Sequence, residues 1–214
     1  MVRPPITDRE AAWRVTSFLE PGERETAALT REVQTAEGFA ADLAYAHEHD
    51  CDPEGVVPPG EYTTLRVRNP GGWEPVMTDT PAELEDHADL FAHARGRVLI
   101  HGLGLGCAVS ALLCDPAIEH IDVVEANADV IALVAPAYAA YPVTIHHASC
   151  VEKAWPADAR WNYVWHDIWT YVSVDNLDDD AAEHGISYGR LANLFAARAN
   201  RQGAWALDLV TAAA

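Results

Sequence analysis

The sequence predicts an α/β protein: a doubly wound, mostly parallel sheet of five core strands in the order 3-2-1-4-5, preceded by an N-terminal helical segment and a β-hairpin. Three observations predict it. From Arg97 onward, short apolar runs alternate with helical patterns. The first run ends in a turn of alternating glycines, GLGLG (102–106). A second apolar run, IDVVEAN (121–127), follows after one helix-length of chain.

Ahead of that rhythm, Thr7-Asp8-Arg9-Glu10 has the form of a capping box and predicts a helix start. Pro21-Gly22 breaks that helix, and a second helical pattern runs from Glu23 to His49. Residues 50–60, DCDPEGVVPPG, form a turn-rich linker with three prolines. YTTLRVR (62–68) then alternates, NPGG turns, and EPVMTD (74–79) returns, which predicts a hairpin. Pro81 opens a helix, PAELEDHADLFAHA, that ends at Gly96. Core strands are expected at 97–101, 121–125, 143–147, 162–167 and 204–210, with helices at 105–114, 128–139 and 187–201. The expected division is a helical cap and linker (1–60), a hairpin and helix leading into the core (61–96), and the sheet domain (97–214). The sequence given stops directly after the fifth strand, so one sheet edge is expected to be covered by the N-terminal segment or by a second subunit in a homodimer.

Composition narrows the classes. Acidic residues outnumber basic ones by 33 to 14, giving a net charge of −19, and Lys153 is the only lysine. Such a surface repels phosphate backbones, which argues against non-specific nucleic-acid binding. No apolar stretch approaches the roughly 20 residues of a membrane span. MVRPPITDREAAW lacks the apolar core of a secretion signal. Cys51, Cys107, Cys114 and Cys150 form no CxxC pair, so a reduced, cytoplasmic setting is expected. His47 and His49 diverge by about 200° on a helix and have no second ligand pair, so no metal is expected.

A strand that turns sharply into a helix aims free backbone N–H groups above the sheet edge, where glycine lets a ligand approach. Gly102, Gly104 and Gly106 therefore point to a nucleoside-type cofactor, with a ligand-free tight turn as the alternative. Glu125 stands 19 residues beyond Gly106, at the end of the next strand, where a carboxylate suits two ribose hydroxyls. A dinucleotide fingerprint, GxGxxG, needs glycine at 107; Cys107 stands there and disfavours an NAD enzyme. Asp167 falls at the carboxyl end of the fourth strand, where ligands of open α/β sheets bind. Period-two geometry places Trp161, Tyr163, Trp165, Asp167 and Trp169 on one face and His166 on the other. Trp169, past the strand end, is a candidate wall for a flat or cationic substrate, and His166 is expected to be a satisfied buried histidine.

Residues 97–169 resemble a class I S-adenosylmethionine-dependent methyltransferase. RVLIHGLGLG is similar to that family's first motif, IDVVEAN to the second, VTIHHASC to the third and WNYVWHDIW to the motif after strand four. Within the superfamily, the chain resembles the spermidine-synthase-like branch, in which a hairpin and an acidic, histidine-bearing helix precede the glycine loop. Here VMTDTPAELEDHADL, with Asp79, Glu85 and His87, holds that place. MTDTPAE, GLGLG and WHDIW together are also similar to small uncharacterised methyltransferase-like proteins of phages. The resemblance implies a Rossmann-like domain with S-adenosylmethionine as cofactor, bound by Gly102, Gly104, Gly106, Glu125, Ala126, Ser149 and Cys150. It implies Glu125 on the ribose, Ser149 and Cys150 beside the adenine, Asp167 as the catalytic residue, and Asp79, His87 and Trp169 on the substrate. The implied activity is methyl transfer to an unidentified small-molecule or protein acceptor. Aminopropyl transfer and a non-catalytic binding or assembly role are the alternatives. DIWTY stands where polyamine synthases carry a DxxDP-like element, and Ile100 stands where the family often has an acid.

Overall fold

A computed structural model of the chain describes residues 8–49, 56–170, 173–205 and 207. Its centre is a parallel sheet of β5 (Gly96–His101), β6 (Ile118–Glu125), β7 (Val143–His147), β8 (Trp161–His166) and β9 (Ala199–Ala204). The order β7-β6-β5-β8-β9 is the predicted 3-2-1-4-5. Val98 of β5 pairs with Ile121 on one side and Tyr163 on the other. Val98–Ile100 of β5 and Val123–Val124 of β6 read as apolar runs because both faces of the sheet are covered there. One face packs Val98, Ile100, Ile121, Val123, Tyr163 and Trp165 against α4 (Ala88–His93) and α5 (Cys107–Leu112). The other packs Leu99, Val124 and Val164 against α7 (Tyr188–Phe195), through Leu191 and Phe195.

An antiparallel sheet, β1 (Gly22–Glu23), β2 (Ala27–Gln34), β3 (Gly60–Asn69) and β4 (Gly72–Thr78), contains the predicted hairpin. β2 replaces half of the helix expected from Glu23 to His49. Eight registered pairs with β3, from Ala27↔Val67 to Gln34↔Gly60, outweigh the modest helix propensity of AALTREVQ. The helix that does form there, α2 (Ala36–Glu48), starts where the Thr35 hydroxyl accepts the Gly38 N–H at 3.0 Å. Helix α1 (Arg9–Trp13) is capped by Asp8, whose side chain accepts the Glu10 N–H; Thr7 of the expected capping box lies outside the described residues.

Two further expectations change. The helix after Pro81 breaks into α3 (Pro81–Glu85) and α4, with His87 between them in a non-helical conformation. The fifth core strand is Ala199–Ala204 rather than 204–210, most of which lies outside the described residues, and α7 stops at Phe195. β9 lies at the end of the sheet, so Asn200, Arg201 and Gln202 carry no apolar period to read; Arg201 pairs with Asp89 at 3.0 Å instead.

The expected common face of the strand-four aromatics also divides. Tyr163 and Trp165 enter the core beneath α5, whereas Trp161 and Trp169 join the core beneath α7. Trp161 pairs with Ala199 of β9 but lies before the pairing with β5, which begins at Tyr163, and its Nε1 donates to Asp122 at 2.9 Å. β8 ends at His166, so strand alternation does not reach Trp169.

Candidate functional site

Between the end of β5 and the start of α5, the chain makes the glycine turn. Gly102, Gly104 and Gly106 all have positive φ (94°, 50° and 75°), the left-handed region that penalises a Cβ. Each is also closely approached by the chain itself. A Cβ at Gly102 would stand 1.9 Å from the Asp167 carbonyl oxygen, at Gly104 2.5 Å from Met77 Sδ, and at Gly106 2.5 Å from Tyr138 Oη. The Leu105 N–H donates to Met77 Sδ at 3.2 Å. The three glycines are therefore required by internal packing, whatever binds above two of them.

Above the carboxyl ends of β5, β6 and β8 lies a cavity of about 630 Å³, within the usual range of small-molecule sites. Its floor includes Gly102, Gly104, Glu125, Ala126, Ser149 and Cys150; its roof is Leu65, Val67, Val76 and Met77 of the antiparallel sheet. The roof is tied down beside β6, where the Thr26 N–H and hydroxyl both donate to Asp129 of α6 (Ala128–Val134), at 2.8 and 2.7 Å. Glu125 reaches back from the tip of β6 to the glycine turn. Its Oε2 accepts the Leu103 N–H at 2.9 Å and its Oε1 the Asn127 N–H at 2.7 Å. Burial pushes the Cys150 thiol up to about 11, so it stays protonated.

The cavity is also lined by Glu83, His87, Asp167, Ile168, Trp169, Ile186 and Trp205. His87 is buried against the rings of Trp13 (4.8 Å) and Trp165 (5.5 Å). Its Nδ1 lies 2.8 Å from the Glu83 carbonyl oxygen and its Nε2 3.1 Å from Asp167 Oδ2. Burial alone would strip its second proton, but the hydrogen bond and charge of Asp167 outweigh that and hold its pKa above the ordinary imidazole value. The side chain of Glu83 is fixed by Thr78, whose N–H and hydroxyl both donate to Oε1 at 2.7 Å. Burial raises Glu83 to about 7, against the opposing pull of the Thr78 bonds. Trp169 is held by a bond from Nε1 to the Ile186 carbonyl (2.9 Å) and by stacking on Tyr188.

Of the residues singled out in the sequence, Gly102, Gly104, Glu125, Ala126, Ser149, Cys150, His87, Asp167 and Trp169 line this one cavity. Gly106 and Asp79 do not line it. Gly106 packs under Tyr138, whose hydroxyl donates to its carbonyl oxygen at 2.8 Å. Asp79 is fully buried and staples the N-terminal segment: Oδ2 accepts the Thr16 N–H and hydroxyl at 2.8 Å, and Oδ1 the Thr63 N–H at 2.7 Å. His166 is buried on the far face as expected, 2.9 Å from the ring nitrogen of His101. Glu83 escaped the sequence reading in favour of Glu85, although its spacing of four from His87 is a legible signal. Met77 and Trp205 carried none. Among the described residues, no group of three His, Cys, Asp or Glu side chains is placed to hold a metal ion, and no helix is long and apolar enough to cross a membrane.

No family model matches the sequence, and no curated protein matches it. Solved structures that resemble the fold include the N-methyltransferase NodS from Bradyrhizobium japonicum, at 13% identity and a TM-score of 0.38, over 53% of this chain and 62% of that one. Spermidine synthase from Thermotoga maritima is similar at 17% identity and a TM-score of 0.37, over 48% of this chain and 42% of that one. An S-adenosylmethionine-dependent methyltransferase from Clostridium acetobutylicum is similar at 8% identity and a TM-score of 0.36, over 54% and 43%. The chain spans less than two thirds of each of these proteins. The α/β assignment rests on the strand order itself.

Proposed function

We propose that the cavity binds S-adenosylmethionine and that the chain is a methyltransferase whose acceptor sits at the Asp167 end. The observation that carries this reading is the carboxylate of Glu125. Each of its oxygens accepts one backbone N–H, and a carboxylate oxygen has two acceptor positions. One position on each oxygen is left for the vicinal hydroxyls of a ribose. The residues present fit the cofactor: Glu125 would hold the sugar, Ser149 would offer a hydroxyl to the adenine amine, and Ala126 and Cys150 would supply apolar contact. A bound sulfonium brings an already activated methyl group. The protein therefore has to align the acceptor, exclude water and accept a proton. Val67, Val76 and Met77 of the roof exclude water, and Ile168 and Trp169 line the acceptor end.

Calorimetry with S-adenosylmethionine, its demethylated product S-adenosylhomocysteine, the decarboxylated form and NAD tests the reading. The first two are expected to bind, and Glu125→Ala to weaken both at least tenfold. No heat from either would overturn it. Preference for the decarboxylated form would replace methyl transfer with aminopropyl transfer. One observation favours a second reading, a non-catalytic binding protein: Asp167, the expected catalytic acid, is already committed to His87.

A further inference from the structure

Three ionisable side chains meet at the acceptor end of the cavity, and their protons can be assigned from geometry. The Glu83 carbonyl oxygen can only accept a hydrogen bond, so His87 Nδ1 carries a proton. Between Nε2 and Asp167 Oδ2, at 3.1 Å, a second proton must lie. Imidazole and carboxyl are therefore neutral as a pair, a protonated ring facing a carboxylate, and together they present no net charge to a ligand. Glu83 differs. Thr78 occupies its Oε1 twice, and among the described residues nothing donates to its Oε2. No lysine lines the cavity among the described residues. Its arginine there, Arg68, lies 3.8 Å from Glu23 and over the Trp73 ring at 4.6 Å. Glu83 thus keeps one carboxylate oxygen that no described donor occupies, in a cavity that Ile168, Trp169, Ile186 and Trp205 also line.

Resting on the methyl-transfer reading, we infer that the acceptor is an amine with an apolar or aromatic body and that Glu83 is the catalytic residue that receives its proton. An ammonium group supplies the donor that Glu83 Oε2 lacks, and the apolar side chains receive the body. The ammonium passes one proton to Oε2 and exposes the nitrogen lone pair. That pair forms the new N–C bond as the C–S bond of the sulfonium breaks, leaving a thioether. The positive charge of the sulfonium ends on the methylated nitrogen, and Glu83 returns its proton to water as the product leaves. The high pKa of Glu83 suits it to hold that proton. Asp167 and His87 are positioning residues here: as a neutral pair they hold one wall of the site without competing for the ammonium.

The test uses phenethylamine as the probe, with 2-phenylethanol and 3-phenylpropionate as comparisons, titrated into the full chain at pH 8 and followed by ligand-detected NMR and calorimetry. In the wild type, phenethylamine is expected to bind at least tenfold more tightly than the alcohol or the carboxylate. Glu83→Gln keeps an oxygen for Thr78, and near-UV circular dichroism checks its packing. The substitution is expected to erase the preference for amine over alcohol while leaving S-adenosylhomocysteine affinity unchanged. Equal affinity for amine and alcohol in the wild type overturns the inference, and that comparison needs no variant. An undiminished amine preference in Glu83→Gln overturns it as well. If S-adenosylhomocysteine fails to bind while the amine preference still depends on Glu83, the cofactor reading and the proton-transfer step fall together, and the cation subsite stands.

Discussion

His87 and Asp167, 80 residues apart in the chain, meet with Nε2 and Oδ2 at 3.1 Å, while the other ring nitrogen of His87 faces the Glu83 carbonyl at 2.8 Å. Both ring nitrogens therefore face acceptors. Asp167→Asn is expected to remove the counter-charge and return His87 to a single ring proton, visible as a change of its ring nitrogen shifts at pH 6. The cost in stability there is about 2 kcal/mol. The folded-state pKa of His87 is raised, so this stabilisation is present below pH 6.5 and fades as pH rises through the folded value. Denaturant midpoints of wild type and variant should accordingly converge toward alkaline pH. A constant gap would contradict the assignment.

Glu83 shifts stability in the same pH direction. Its pKa rises from 4.5 to about 7 on folding, so the folded protein holds a proton that the unfolded chain has lost between those values. Stability from this group therefore falls as pH rises from about 4.5 to about 7. Glu83→Gln is expected to become progressively more stable relative to wild type across that window, levelling near 2–3 kcal/mol above it. Paired urea titrations from pH 4 to 8 measure this, and a flat difference would sink it.

The buried histidines of β5 and β8 are expected to stay neutral. His166 Nε2 lies 3.0 Å from the side-chain Oε1 of Gln202, so that nitrogen carries the proton; His166 Nδ1 then accepts from His101 Nδ1–H at 2.9 Å. Burial lowers His166 to about 4 and His101 well below its ordinary value. Stability from this pair is present above pH 6.5 and is lost as pH falls toward 4. Nitrogen-detected NMR should show opposite tautomers for the two rings and no titration of either above pH 5.

Gly106→Ala is the alanine substitution in the turn that reads structure alone, because its Cβ meets Tyr138 and no residue that lines the cavity. The residue sits at φ 75°, and its Cβ would meet the Tyr138 ring at 2.5–2.8 Å. A loss of about 3 kcal/mol is expected from strain and overpacking together. Thermal unfolding monitored beside calorimetry with S-adenosylhomocysteine separates the two effects: at a temperature where the variant is folded, its affinity should be within a few-fold of wild type. A variant as stable as wild type would contradict the packing.

How far the residues announced this arrangement depends on the range of the forces that placed them. The runs around Ile100, Val123 and Trp165 are apolar because both sheet faces are covered, and that pattern survives in the linear order. The turn at Gly102–Gly106 and the acid at Glu125 are equally local signals, and they fall on one cavity. β2 was hidden because AALTREVQ favours neither state strongly until β3 pairs with it. β9 was hidden because ANRQGA carries no apolar period. Glu83 was passed over in favour of Glu85 although its spacing of four from His87 was legible; what the order of residues does not record is the pair of Thr78 bonds that fixes it in the cavity.

By itself, the order of residues determined a doubly wound sheet and the place where a ligand meets it, since strand periodicity and glycine turns depend on neighbours a few positions apart. Only the tertiary structure decided which acid is free. Charge is set through space, by burial and by partners such as His87 on Asp167, and no spacing along the chain records that a carboxylate has already been neutralised.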